Sequence, residues 1–298
     1  MVFFLQILRL MKCSPRLIVG IVALLMTQLS PMAEGNRRRR SKPPLKPTVS
    51  AKFTKPTLVS VRAKKIIFVP GLLRKKGKDD RPFHHHKTVF GSIVKGGTAI
   101  APIDRTKSPA ANRKALAQFV RQQGDGLLLV GASAGGLHIE RALLDAPDIR
   151  PSIAGVVTIA TPFLGAKSAA TARRLRRQGA TKDLMPKRLV SNQLLEALTP
   201  IGRMLHLGKH YRRLEALWHE VMLVSVGVYG DQVAHPDEVH LPAFYGAKRL
   251  NFFSTTKPEK NEVLGHDDLV MPDFSIHRQI GMFWDILDHA GLVNRHPW

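Results

Sequence analysis

The run LLLVGASAGGL at residues 127–137 constrains this chain more than any other stretch. Four apolar residues, Leu127 to Val130, suit a buried strand, and the GGLHIERALLDA segment that follows the serine carries Leu137, Ile139, Ala142 and Leu143 along a helical run. Between strand and helix, Gly131, Ser133 and Gly135 form a GxSxG pentapeptide. A strand that passes so abruptly into a helix must turn sharply, and a side chain at either second neighbour of the serine would collide with the elements pressed against that turn. The serine hydroxyl projects freely, as a nucleophile requires.

Strands and helices alternate through residues 63–298, which we expect to form one domain. KKIIFVPG at 64–71, TAIAPI at 98–103, IAGVVTIA at 153–160, VMLVSVGV at 221–228 and RLNFFS at 249–254 read as strands. Ser108-Pro109 caps a helix through Gln123 with Ala115, Leu116, Phe119 and Val120 on its face, and residues 275–289 form a closing helix. Near-continuous apolar strands suit a parallel sheet covered on both faces. The expected class is therefore α/β, a mostly parallel central sheet flanked by helices. Residues 166–220 interrupt the alternation: they read as helical, carry 12 Lys/Arg against 4 Asp/Glu, and are expected to be an inserted cap.

The net charge of +24 is unevenly placed, because residues 1–65 alone carry 14 Lys/Arg against one Glu. Within them, LIVGIVALLMTQL at 17–29 is apolar but short for a bilayer span. Basic residues before it and Pro31-Met32-Ala33 after it give residues 1–33 the pattern of a secretory signal peptide. Arg37 to Arg40, directly downstream, favour the alternative of an uncleaved membrane anchor, and Met11 is an alternative start. Residues 34–62 are basic and Pro-rich and read as a linker. Cys13 is the single cysteine, which excludes an intrachain disulfide framework and a cysteine-rich metal site.

A serine hydroxyl is a poor nucleophile at neutral pH; it needs an imidazole to take its proton and a carboxylate to orient that imidazole. Catalytic groups of a doubly wound sheet sit on loops beyond the carboxyl ends of its strands. The loop after residues 221–228 contains Asp231, with Asp237 and Glu238 as alternatives. The loop after residues 249–254 contains His266, with His277, His235 and His240 as alternatives. The candidate set is Ser133, Asp231 and His266, in a chain order known for such triads. The oxyanion of an acyl-transfer intermediate also needs two N–H donors. Ala134, after the nucleophile, supplies one, and Leu72, in the turn that leaves the first strand, supplies the other.

Taken together, IIFVPGLL, LLLVGASAGG, VVTIATPFLGA, GDQVAHP and GHDDLV resemble, in order and interval, the α/β-hydrolase superfamily, closest to its lipase and esterase members. The resemblance covers roughly residues 64–290. TPFLGA at 161–166 is its most telling piece, similar to a segment of lipases that act on triacylglycerol or other acyl lipids. Such enzymes usually have His-Gly where this chain has Pro70-Gly71. The resemblance implies a serine hydrolase of carboxylic esters that needs no cofactor, with residues 166–220 as a lid over the site and an acyl ester or lipid as substrate.

Two alternatives stand beside that reading: an acyltransferase using the same triad, and a non-catalytic basic membrane-binding protein on a hydrolase fold. The run Arg173-Arg174-Leu175-Arg176-Arg177 suits an anionic membrane surface. Nucleic acid is not an expected partner, since no binding motif is present and aromatics make up only 6% of the chain. His84 to His86 and the pair His206 and His210 are expected to be surface histidines rather than metal ligands, because the first cannot converge and the second lacks an adjoining glutamate.

Overall fold

The computed structural model describes residues 59–71, 82–104, 106–178, 191–228, 231–242, 245–252, 266, 270 and 276–295. The expected signal peptide or anchor at 1–33 and Leu72 lie outside them. Six strands, β2 (Lys65–Val69), β3 (Thr98–Ile100), β4 (Leu127–Ala132), β5 (Ile153–Ile159), β6 (Leu223–Val228) and β7 (Lys248–Phe252), form one sheet. Their order is β3-β2-β4-β5-β6-β7, every neighbouring pair parallel.

Period-two alternation sends successive side chains to opposite faces of this sheet. Ile67, Leu127 and Leu129 join one buried cluster and Ile66, Phe68, Leu128 and Val130 the other. The first cluster is closed by α2 (Pro109–Arg121), α3 (Ala134–Asp145) and the far end of α6 (Pro200–Glu220). The second is closed by α1 (His84–Ile93) through Phe90 and by the C-terminal helix α8 (Ile276–His289) through Phe283, Ile286 and Leu287. Both faces are thus covered, which explains why these strands lack polar alternation. As expected, Ser108 caps α2, its hydroxyl accepting from the Ala111 N–H at 3.2 Å.

Three expectations change. β1 (Val59–Val61) falls inside the supposed linker and pairs antiparallel with β8 (Val293–Arg295); VSV becomes a strand because its partner arrives from the other end of the domain. Residues 166–220 do form helices, α4 (Lys167–Arg177), α5 (Asn192–Leu198) and α6, but they are not all cap. Leu214, Leu217 and Trp218 of α6 are buried in the sheet-covering cluster, since a parallel β5 to β6 connection needs a crossover helix. The histidines are not all on the surface either. His86 is fully buried, edge-on to Phe83 and Phe283, and neither ring nitrogen has a hydrogen-bond partner among the described residues. His206 is half-buried, 3.2 Å from Glu140 of α3.

Glu140 also forms a fully buried ion pair with Arg203 of α6 at 2.9 Å. Burial alone would raise this carboxyl, but the guanidinium and the His206 imidazole overrule it and hold it down to about 2. The pair therefore fastens the near end of α6 to the helix that follows Ser133. No helix among the described residues is long and apolar enough to cross a membrane.

Burial lowers His86 to about 3 and His138 of α3 to about 4, with the nearby His85 and Arg141 charges adding to the respective shifts. An unfolded chain takes up these protons near the ordinary 6.5, so between 6.5 and these lowered values it binds more protons than the folded chain. Stability should fall as pH drops through that window, whereas the Glu140 contribution is lost only below the ordinary carboxylate range. Thermal unfolding at pH 7 and pH 5 should show a loss of melting temperature that His86→Phe reduces; an equal loss in the variant would contradict this account.

Candidate active site

β4 ends at Ala132, and Ser133 stands between it and α3 with φ 51° and ψ −128°. A non-glycine residue adopts such a backbone only where its surroundings hold it there. The holding groups come from β5, from the segment just beyond it and from the first turn of α3. The Ser133 N–H donates to the Ile159 carbonyl of β5 at 2.8 Å, and its own carbonyl accepts from the Thr161 hydroxyl at 2.8 Å and the Gly136 N–H at 3.2 Å.

The flanking glycines answer to measurable crowding. A Cβ at Gly131 would lie 2.6 Å from the Gly136 nitrogen, one at Gly135 would lie 2.1 Å from the Val69 carbonyl oxygen, and one at Gly136 would lie 2.2 Å from the Thr161 hydroxyl. The turn after β2 comes equally close, since a Cβ at Gly71 would meet the Ser133 Cβ at 2.7 Å. That approach brings the start of the expected oxyanion turn against the serine, while Leu72 itself falls outside the described residues. Ala134 is fully buried at the first position of α3.

His266 joins the other two candidates. Its Nδ1 lies 2.6 Å from Asp231 Oδ2, and since a carboxylate only accepts, Nδ1 carries the proton. Its Nε2, 2.9 Å from Ser133 Oγ, is then the acceptor for the serine hydroxyl. Asp231 is buried just beyond β6, and its second oxygen accepts from the Val233 and Ala234 N–H groups at 2.7 and 2.9 Å. Both oxygens are engaged, so the carboxylate is fixed before it meets the imidazole. His266 is 8% exposed and Ser133 half-buried.

Among the alternative candidates, Glu238 and His240 are engaged elsewhere. Glu238 accepts from the His235 N–H at 3.1 Å in the cap of the short helix α7 (Pro236–Val239), and its other oxygen accepts from the Lys167 N–H at 3.1 Å. The side chain of Asp237 is 91% exposed. His240 lies 3.1 Å from Ser225 Oγ. Among the described residues no group of three or more His, Cys, Asp or Glu could hold a metal ion.

A parallel sheet with helices on both faces, as in this chain, has counterparts among solved structures. A metagenomic carboxyl esterase superposes with a TM-score of 0.56 at 17% identity over 76% of this chain and 70% of the other. A Bacillus licheniformis lipase in its mature form gives 0.52 at 16% identity over 77% of this chain and 92% of the other. The chain has the α/β-hydrolase fold. In its propeptide form the same lipase gives 0.54 at 15% identity, covering 80% of this chain and 52% of the other. No protein-family model matches the sequence, and no curated protein matches it.

Within this α/β-hydrolase fold, Thr161 and the Glu140–Arg203 pair carry no chemical signal in the sequence. Thr161 belongs to the TPFLGA segment, whose signal is its resemblance alone. Glu140 and Arg203 are 63 residues apart on two helices, and no local pattern announces that they meet.

Proposed function

We propose that this protein is a serine hydrolase of carboxylic esters, with an acyl ester or lipid as substrate. The observation that carries the reading is His266 held between Asp231 and Ser133 at 2.6 and 2.9 Å. In the proposed mechanism Ser133 Oγ attacks the acyl carbon as its proton passes to His266 Nε2. The oxyanion that forms is held by the N–H groups of Ala134 and Leu72. Collapse of this tetrahedral species expels the alcohol, which takes the proton back from the imidazole. Water then repeats the sequence on the acyl-enzyme and releases the acid. Asp231 keeps the imidazole in the tautomer that can accept and stabilises the imidazolium. The chemistry needs no cofactor. Similarity of fold to a carboxyl esterase and a lipase supports the same class.

Cationic α4 supports an anionic surface as the place where substrate is met. Lys167, Arg174 and Arg177 are exposed on it, and Arg173 and Arg176 are tied to Glu196 and Asn192 of α5. With the apolar segment at 17–29, we place the protein in a secretory or envelope compartment or on a membrane anchor.

Turnover of p-nitrophenyl esters of increasing acyl length tests the reading. Ser133→Ala and His266→Ala should each lower kcat by about 10⁴-fold or more, and Asp231→Asn by about 10⁴-fold, with folding intact. Wild-type-like turnover in Ser133→Ala would overturn it. Binding to vesicles containing phosphatidylserine should weaken steeply with salt and weaken further in Arg174→Ala/Arg177→Ala; binding indifferent to both would remove the anionic-surface proposal.

A further inference from the structure

We infer that Thr161 is the positioning residue of the oxyanion site: its hydroxyl fixes the plane of the Ser133–Ala134 peptide and so aims the Ala134 N–H. The inference rests on the reading of Ser133 as nucleophile and Ala134 as donor. The Ser133 carbonyl and the Ala134 N–H belong to one peptide unit, which is planar and trans, so the two groups point in opposite directions. A partner that holds the carbonyl on one side therefore sets the direction of the N–H on the other. Thr161 Oγ1 is that partner, 2.8 Å from the carbonyl oxygen and fully buried.

Ser133 does not fix this plane by itself. At φ 51° and ψ −128° it lies outside the ordinary wells of an L residue, so the orientation of the following peptide is imposed from outside. The backbone contact to the same oxygen, from the Gly136 N–H, is longer at 3.2 Å. A hydrogen bond accepted by a peptide carbonyl also polarises the unit and makes its N–H a stronger donor.

Thr161 is in turn fixed by its own surroundings. Pro162 confines it to extended backbone, and the preceding Ala160 has φ 50° with its N–H donating to the Val226 carbonyl at 2.8 Å. Two residues on, the Phe163 carbonyl accepts from Nε of the buried Arg203 at 2.9 Å. Gly136 completes the arrangement, because only the absence of a Cβ there leaves room for the hydroxyl. The threonine and the second glycine of SAGG are parts of one device.

The test uses the full chain with p-nitrophenyl butyrate as substrate and phenylboronic acid as inhibitor. The boron bonds to the serine oxygen and becomes tetrahedral, presenting an oxygen to the oxyanion donors. Thr161→Val should lower kcat about tenfold with KM unchanged, weaken phenylboronic acid by a similar factor, and leave the pH profile of kcat in place, whereas Thr161→Ser should restore most of the loss. Thr161→Ala, which opens space instead of adding a methyl group against Gly136, gives the same reading if the Val variant does not fold. Full kcat in a folded Val or Ala variant, or an equal loss in Thr161→Ser, would overturn the inference while the hydrolase reading stands. Absence of turnover in the wild type would overturn both.

Discussion

The backbone of Ser133 is the constraint on which the rest of the site depends. A left-handed turn at a non-glycine residue costs on the order of 1–3 kcal/mol and persists only where surrounding structure over-determines it. Here β5 supplies that structure on one side, through the Ile159 carbonyl and the segment that carries Thr161, and the end of β2 supplies it on the other through close approach at Gly71 and Gly135. The order β2-β4-β5 is what puts both sets of contacts beside β4. Sheet topology and nucleophile geometry are therefore one arrangement.

Around that turn, fixed polar groups replace what water would otherwise do. Asp231 has both oxygens occupied, one by two backbone N–H groups and one by His266. The imidazole consequently has one tautomer and one direction. Farther back, the Glu140–Arg203 pair ties α3 to α6, and Arg203 also holds the Phe163 carbonyl. Breaking such a pair from one side leaves a buried charge and costs about 3–5 kcal/mol, so the near end of α6 is firmly attached. Of the helices between β5 and β6, this pair and the buried far end make α6 structural, and Leu194, Leu195 and Leu198 of α5 join the same buried cluster.

The sequence was most legible where a strand is buried on both faces. β4, β5 and β6 read directly from uninterrupted apolar runs, and the loops beyond β4 and β6 followed from them. Spacing left Asp231, Asp237 and Glu238 open, because which carboxylate meets a histidine is a matter of three dimensions; in the structure it is Asp231. α1 is hard to read because HHHKTVFGSI looks polar, and the burial of His86 depends on Phe283 near the other end of the domain. β1 needed a partner more than 200 residues away. Leu214, Leu217 and Trp218 stand at the spacing of one helix face, and the basic residues around them mask a stripe that packs on the sheet.

The most direct test of an activated Ser133 is covalent. A fluorophosphonate should modify the purified, folded protein at a single site, peptide mapping should place the adduct on Ser133, and His266→Ala should abolish the modification. A folded protein that remains unmodified, or that is modified at another residue, would contradict the account.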